Sequence, residues 1–443
     1  MESMTNTDHL NKTIYRDVES ASNLMRRFYR IERETMRAMA GYLTKLRIWQ
    51  AKKMLARHIW LDASHADLLR SRVLNLRYPR VDVDDNVDMH LIRLLKKLPN
   101  AETDQQFLSY VYHVIKPELI KSFKTYLQES DPLDDAPSHI YIERILFELE
   151  KEMTEFDTLW EQLGGSKNPS IQEENKRLLE AFHSCGGVTG PDQAPHSHFE
   201  VFFQKADFEI PMVGGRDPSW QYAETQVPPR NPKNQAEQRL WIAIDHANEV
   251  WASETVAALI WEYDKMPWEL YLNAARWCYD EMRHSMMGEQ RLISMGFEMG
   301  IDTPMASDNW KAFRREGIEK LLLLLHGVEQ KGPMHKSHLK NELSKVEDFE
   351  SAQDCDFDWA DESGHIRFGL AWIKAIYPNW TKERIISETT QTVKEWQEWI
   401  IEHQKEGKHG YDNFLKKIDE KINTMKPSGD HLLELSPTHL TKY

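Results

Sequence analysis

Two short blocks, DEMRH at Asp280–His284 and DESGH at Asp361–His365, restrict what this chain can fold into more than any other feature. On a helix, residues three apart share a face, so each block offers a carboxylate beside an imidazole: Glu281 with His284, and Glu362 with His365. Both blocks lie in aromatic and apolar sequence, which turns that face inward. Buried carboxylates need compensation, and a bundle of helices that binds metal between them supplies it.

The bare spacing decides little. An acidic residue three before a His occurs five times, near what chance gives for 19 His and 71 acidic residues in 443. Glu180/His183 runs into Ser184-Cys185-Gly186-Gly187 and Glu406/His409 straddles Gly407, so both are expected on solvated surface. Two further glutamates distinguish the blocks at 281 and 362. The segment Asp264–Pro267 reads as a turn, with Pro267 opening the next helix. Glu249 lies 16 residues before Lys265 and Glu281 lies 16 after it, so the two carboxylates meet at one level of an antiparallel hairpin. Glu254 is displaced along the helix by about 7.5 Å and is expected to support the ligands or to shift onto the metal on oxidation. Glu329 precedes Glu362 by 33 residues, close to the 32 between Glu249 and Glu281, and shares the face of Ile318, Leu322 and Leu325. Four carboxylates and two neutral imidazoles sum to −4, which two divalent ions cancel. Asp280 and Asp361 are expected to hydrogen-bond the ligating imidazoles and fix their tautomers.

Most of the remaining sequence also has helical texture, with apolar residues recurring at three and four. Between about 164 and 236 it changes to GGSKNP, CGGVTGPDQAP, VGGRDP and VPPRNP, expected to be a loop-rich linker, with a short strand pair around Phe199–Phe203. The last fifteen residues or so read as a tail. An internal repeat sets Trp49–His65 against Trp268–His284 at a constant offset of 219, placing Asp62 and His65 opposite Glu281 and His284. The expected fold is therefore all-α: a degenerate helical bundle over 1–163, the linker over 164–236, a metal-binding bundle over 237–400, and a helix and tail over 401–443. In the N-terminal bundle Glu32 and Asp62/His65 follow the pattern, but FELEKEM supplies Glu150 and Met153 where the last Glu-x-x-His belongs. That half is expected to hold no dinuclear site and to close its polar residues into a buried network.

The run MPWELYLNAARWCYDEMRHSMMGEQRL with the later DWADESGHIRFG resembles a bacterial domain-of-unknown-function family of the ferritin-like superfamily, over roughly 237–377. The resemblance implies ferritin-like four-helix bundles and puts Glu249, Glu281, His284, Glu329, Glu362 and His365 on the superfamily's metal-ligand positions. It implies no particular substrate.

Composition narrows the function. A net charge of −15 without a Lys/Arg-rich block speaks against nucleic acid as partner. The polar start MESMTNTDHL and the lack of any long apolar run lead to the expectation of a cytoplasmic protein with no membrane partner. Cys185, Cys278 and Cys355 are widely spaced and expected as buried thiols. Mixed carboxylate and imidazole ligation suits two iron ions, with manganese as the alternative. The expected activity is that of a non-haem di-iron oxidase or oxygenase, with O2 and a small organic molecule as substrates and Glu281 and Glu362 central to the chemistry. An electron donor and homo-oligomerisation stay open. The competing readings are a non-catalytic metal-binding or storage protein and a helical interaction scaffold.

Overall fold

Leu, Met, Ala, Glu, Arg and Lys dominate the chain and favour helix, and the computed structural model is all-α. It describes residues 16–77, 83–84, 87–165, 168–194, 207–225, 232–306, 308–422 and 432–434. The strand pair expected at Phe199–Phe203 lies outside these residues, as does the tail apart from 432–434. Among the described residues no helix is long and apolar enough to cross a membrane.

The chain divides into two compact units, Met1–Tyr42 with Arg57–Glu209, and Leu43–Ala56 with Ile210–Tyr443. The first contains helices α1 (Val18–Leu43, to Tyr42), α2 (Trp49–Asn75, from Arg57), α3 (Lys116–Glu129), α4 (Ala136–Gln162) and α5 (Pro169–Ser184). Helix α5 falls in the stretch expected to be loop-rich. Asn168 accepts from the Ser170 N–H at 3.1 Å, Pro169 takes the first helical position, and Ile171, Leu178 and Phe182 bury one face. Six residues of π-helix, Tyr110–Ile115, lead directly into α3.

The second unit is built on α6 (Gln235–Ala247), α7 (Val250–Glu262), α8 (Trp268–Ser294), α9 (Ile318–Glu329), α10 (Gly332–Lys345), α11 (Phe349–Ile376) and α12 (Lys382–Lys405). A two-residue strand, Tyr222–Ala223, pairs in parallel with Met305–Ala306. Helix α8 packs against α6, α7 and α11, while α9 packs against α7, α11 and α12. Helices α7 and α9 are apolar nearly all round: Val256, Ala257, Leu259, Ile260 and Leu321–Leu325 are buried. Each buried Leu or Ile contributes about 1.5–3 kcal/mol of transfer free energy.

Two local devices position the site. Helices α6 and α7 are separated by Asn248 and Glu249. The Asn248 amide donates to the carbonyls of Ile244 (2.9 Å) and Pro304 (3.2 Å) and accepts from the Ala306 N–H (2.8 Å), so its side chain holds the joint. Gly288 lets α8 approach α6: a Cβ there would lie 2.2 Å from the Ala247 nitrogen.

Candidate metal centre

Glu281 stands at the middle of the cluster. Its Oε2 lies 3.6 Å from His284 Nδ1, which is also 3.1 Å from Glu249 Oε2. Its Oε1 lies 3.1 Å from His365 Nδ1, which is also 3.5 Å from Glu329 Oε2. The two imidazole rings are 5.8 Å apart. Glu249, Glu281 and His284 thus form one group whose ligand atoms lie within 4.8 Å of one another, and Glu281, Glu329 and His365 form a second that shares Glu281. The turn between α7 and α8 brings Glu249 level with Glu281, and Glu329 arrives as the last residue of α9 on the face of the buried Ile318, Leu322 and Leu325.

The aspartates serve these imidazoles crosswise. Asp361 Oδ2 is 3.4 Å from His284 Nε2, and Asp280 Oδ2 is 3.5 Å from His365 Nε2, so each block orients the histidine of the other helix. Arg276 and Arg283 bridge both aspartates, the latter at 2.7 Å from Asp280 and 3.0 Å from Asp361. The Trp277 indole N–H donates to Glu281 Oε1 at 2.8 Å and reaches Glu329 Oε1 at 3.3 Å.

Three participants lie outside the sequence-derived set. His246, Glu249 and Asp358 form a third compact group, and the buried Lys336 ammonium sits in it. Its Nζ is hydrogen-bonded to Asp358 and lies 2.7 Å from His246 Nε2 and 3.2 Å from Glu249 Oε1. Asp358 is one turn before Glu362 and two before His365, a periodicity visible in DFDWADESGH. His246 stands three residues before Glu249, the reverse of the acid-then-His order sought. For Lys336 the sequence GPMHKSHLK carries no signal.

Glu362 is buried beside the cluster and interacts electrostatically with Asp358, Lys336, Glu329 and Glu249, although none of the compact groups contains it. Gly332 makes room for it, since a Cβ there would lie 1.9 Å from Glu362 Oε2. Glu254 is placed elsewhere: it is fully buried, 2.5 Å from Lys52 Nζ and bonded to Arg216. In the N-terminal unit, Glu150 is exposed and Glu152 takes the inward position. The expected register of FELEKEM was therefore two residues off, because the apolar face of α4 runs through Ile145, Leu149 and Glu152.

The buried atoms Glu249 Oε2, Glu329 Oε2, Glu362 Oε2, Asp358 Oδ1 and both ring nitrogens of His365 lack an aligned hydrogen bond among the described residues. Such atoms are costly unless something else satisfies them. Burial would depress the His284 and His365 imidazoles, but the carboxylates around them, Asp358 and Glu329 foremost, reverse this and hold both well above the ordinary range. Burial also opposes charge on Glu281, yet the two imidazoles outweigh it and keep this carboxyl well below its usual range. Glu329 is pushed up to about 8 by burial and by Glu281, and Glu362 well above its ordinary value by burial and Asp358. With Asp358 added, four buried carboxylates and the partly exposed Glu249 face one ammonium, a sum of −4 that two divalent ions cancel. The donors, their orphaned atoms and their charge fit such a pair.

A model of the family described as "Protein of unknown function (DUF455)" matches residues 193–416. No curated protein and no solved structure matches the chain.

Proposed function

The chain belongs to the DUF455 family, and from its C-terminal unit we propose a ferritin-like four-helix bundle whose dinuclear centre, of iron or manganese, activates O2 to oxidise a small organic molecule. The bundle is α7, α8, α9 and α11, in which α8 and α9 each pack against both α7 and α11. The N-terminal unit, with Asp62 and His65 in the repeat of Glu281 and His284, is a degenerate copy.

The observation that carries this reading is the sharing of Glu281 between two ligand groups, one oxygen turned to each imidazole. A redox-active metal pair bound there supplies electrons to O2. The chain's own residues do the rest. Asp361 accepts from His284 Nε2 and Asp280 lies 3.5 Å from His365 Nε2, which leaves each Nδ1 facing the centre. Trp277 fixes Glu281 and Glu329 with its N–H. Lys336 neutralises Asp358, so that the remaining negative charge matches two ions and not three. Glu329 keeps a proton at neutral pH until a cation displaces it. Burial of the imidazoles and of Glu281 excludes water from the centre.

The test is O2 uptake by full-length protein stripped of metal and reloaded anaerobically with Fe(II). The expected result is consumption that scales with bound iron and disappears in Glu281→Gln. Iron-loaded protein inert to air would instead support the storage or scaffold reading.

A further inference from the structure

The N-terminal unit contains a second buried cluster, and it is incomplete in a specific way. Glu32 on α1 meets Asp62 and His65 on α2, all three without solvent exposure. His65 Nδ1 lies 3.9 Å from Glu32 Oε1 and 3.9 Å from Asp62 Oδ1, and the three residues offer ligand atoms within 4.8 Å of one another. From the start of α3, just past the π-helical residues, Lys116 places Nζ 2.6 Å from Asp62 Oδ1 and bonds Glu152 as well. The other imidazole nitrogen, His65 Nε2, is 3.0 Å from Glu148 Oε2. The expected polar network is present in these bonds, but it does not close. Both oxygens of Glu32, Asp62 Oδ2, His65 Nδ1 and Glu152 Oε1 are buried without a hydrogen bond among the described residues.

The charges explain the gap. Glu32, Asp62 and Glu152 are three fully buried carboxylates against the single ammonium of Lys116, a sum of −2. Glu148 and Glu155 do not enter this sum, since both are partly exposed and lie beside Arg144 (3.3 Å) and Arg57 (2.8 Å). Leaving two uncompensated charges in a dry interior is prohibitive. A His65 that donates Nε2–H to Glu148 presents a lone pair at Nδ1, toward Glu32, whose two oxygens are both unpartnered, and Asp62, whose Oδ2 is.

We propose that the N-terminal unit binds a single first-row divalent cation through Glu32, Asp62 and His65 Nδ1, with the Lys116 ammonium occupying the place of a second ion. The donor set of carboxylates and one imidazole suits Mn(II), Fe(II) or Zn(II). The arrangement that would dispense with the ion keeps both Glu32 and Glu152 neutral; burial and Asp62 push the Glu32 carboxyl well above its ordinary range, and burial pushes Glu152 up to about 8. The two differ in what Glu32→Gln does. A glutamine reproduces a neutral acid in size and shape but cannot replace an anionic ligand.

The probe is Mn(II), added to full-length, chelator-stripped protein and counted by equilibrium dialysis with elemental analysis. Glu32→Gln should bind one ion fewer than the unaltered chain. In a Glu281→Gln/His365→Gln background, which disables the C-terminal centre, one ion should persist, and adding Glu32→Gln should remove it. An unchanged count in Glu32→Gln, or no ion left in the C-terminal double variant, overturns the proposal. Electron paramagnetic resonance of the unaltered protein needs no variant to fold. An isolated six-line Mn(II) signal amounting to one ion per chain is expected, separate from any exchange-coupled pair, and its absence also refutes the site. A coupled pair bears only on the C-terminal reading, so the two can fail independently.

Discussion

Replacing Trp277 by Phe should weaken metal binding by far more than it weakens the fold. The indole N–H is the group that pins Glu281 (2.8 Å) and Glu329 (3.3 Å) from the protein side. A hydrogen bond to a charged acceptor contributes about 1.5–3 kcal/mol, and losing a partner that orients a ligand costs about 10- to 100-fold in metal affinity. The substitution also removes packing, so a control is needed, and the protein supplies one. Trp372 is equally buried, but its indole nitrogen has no hydrogen-bond partner among the described residues. Its ring only packs, 5.9 Å from Tyr263 and 6.0 Å from Tyr271. Trp277→Phe and Trp372→Phe should each lose only part of the roughly 3–5 kcal/mol that truncation to Ala costs. Competition with a chromophoric chelator for Fe(II) or Mn(II), alongside urea melts of the metal-free proteins, separates the effects. Affinity should drop only in Trp277→Phe. Equal affinities in the two variants would show that the Glu281–Glu329 pair does not hold the metal.

Three other outcomes follow from the same geometry. Glu281→Gln should lose both C-terminal ions, whereas Glu249→Gln should chiefly lose the one it shares with His284; elemental analysis against the surface control Glu406→Gln checks this, and equal losses in all three would be contrary. Lys336→Met removes the ammonium from the buried Asp358, leaving it only the imidazoles of His246 and His284, and should destabilise the metal-free protein by about 3–5 kcal/mol in urea denaturation; a cost below about 1 kcal/mol would mean that Asp358 is not held as an anion by the lysine. Glu329, with its folded-state value raised to about 8, binds a proton that the unfolded chain releases in the ordinary carboxylate range. Its contribution is therefore present at low pH and lost as pH rises through about 8, so metal-free protein should be less stable at pH 8.5 than at pH 6, and metal loading at pH 7 should release protons. Denaturation curves and a weakly buffered pH indicator measure the two, and a flat profile without proton release would contradict the assignment.

The helices were legible because their apolar periodicity is long and regular, and the hairpin arithmetic put Glu249 and Glu281 on one level, where both reach His284 Nδ1. Other features could not be read along one strand of sequence. The crosswise service of Asp280 and Asp361 exists only once α8 and α11 face each other. Lys336 looks like a surface lysine until α10 folds against α11 and sinks it beside Asp358. Glu254 misled for a related reason: its helix turns it toward Lys52, some 200 residues away in sequence, where it ends in a buried ion pair. Asp358 was within reach of the sequence, since it extends the Glu362/His365 face by one turn.

The joint between α6 and α7 bears on how fast the centre fills, and in what order. Glu249 sits on that joint and is the most open of the grouped ligands, its side chain 23% exposed against 4% for Glu281 and 5% for Glu329. An ion entering the proposed centre from water should therefore meet Glu249 first. On the proposed function Glu249 should govern the rate of capture and the buried Glu281 retention, so the position shared with His284 should fill before the one shared with His365 and empty first when a chelator is added.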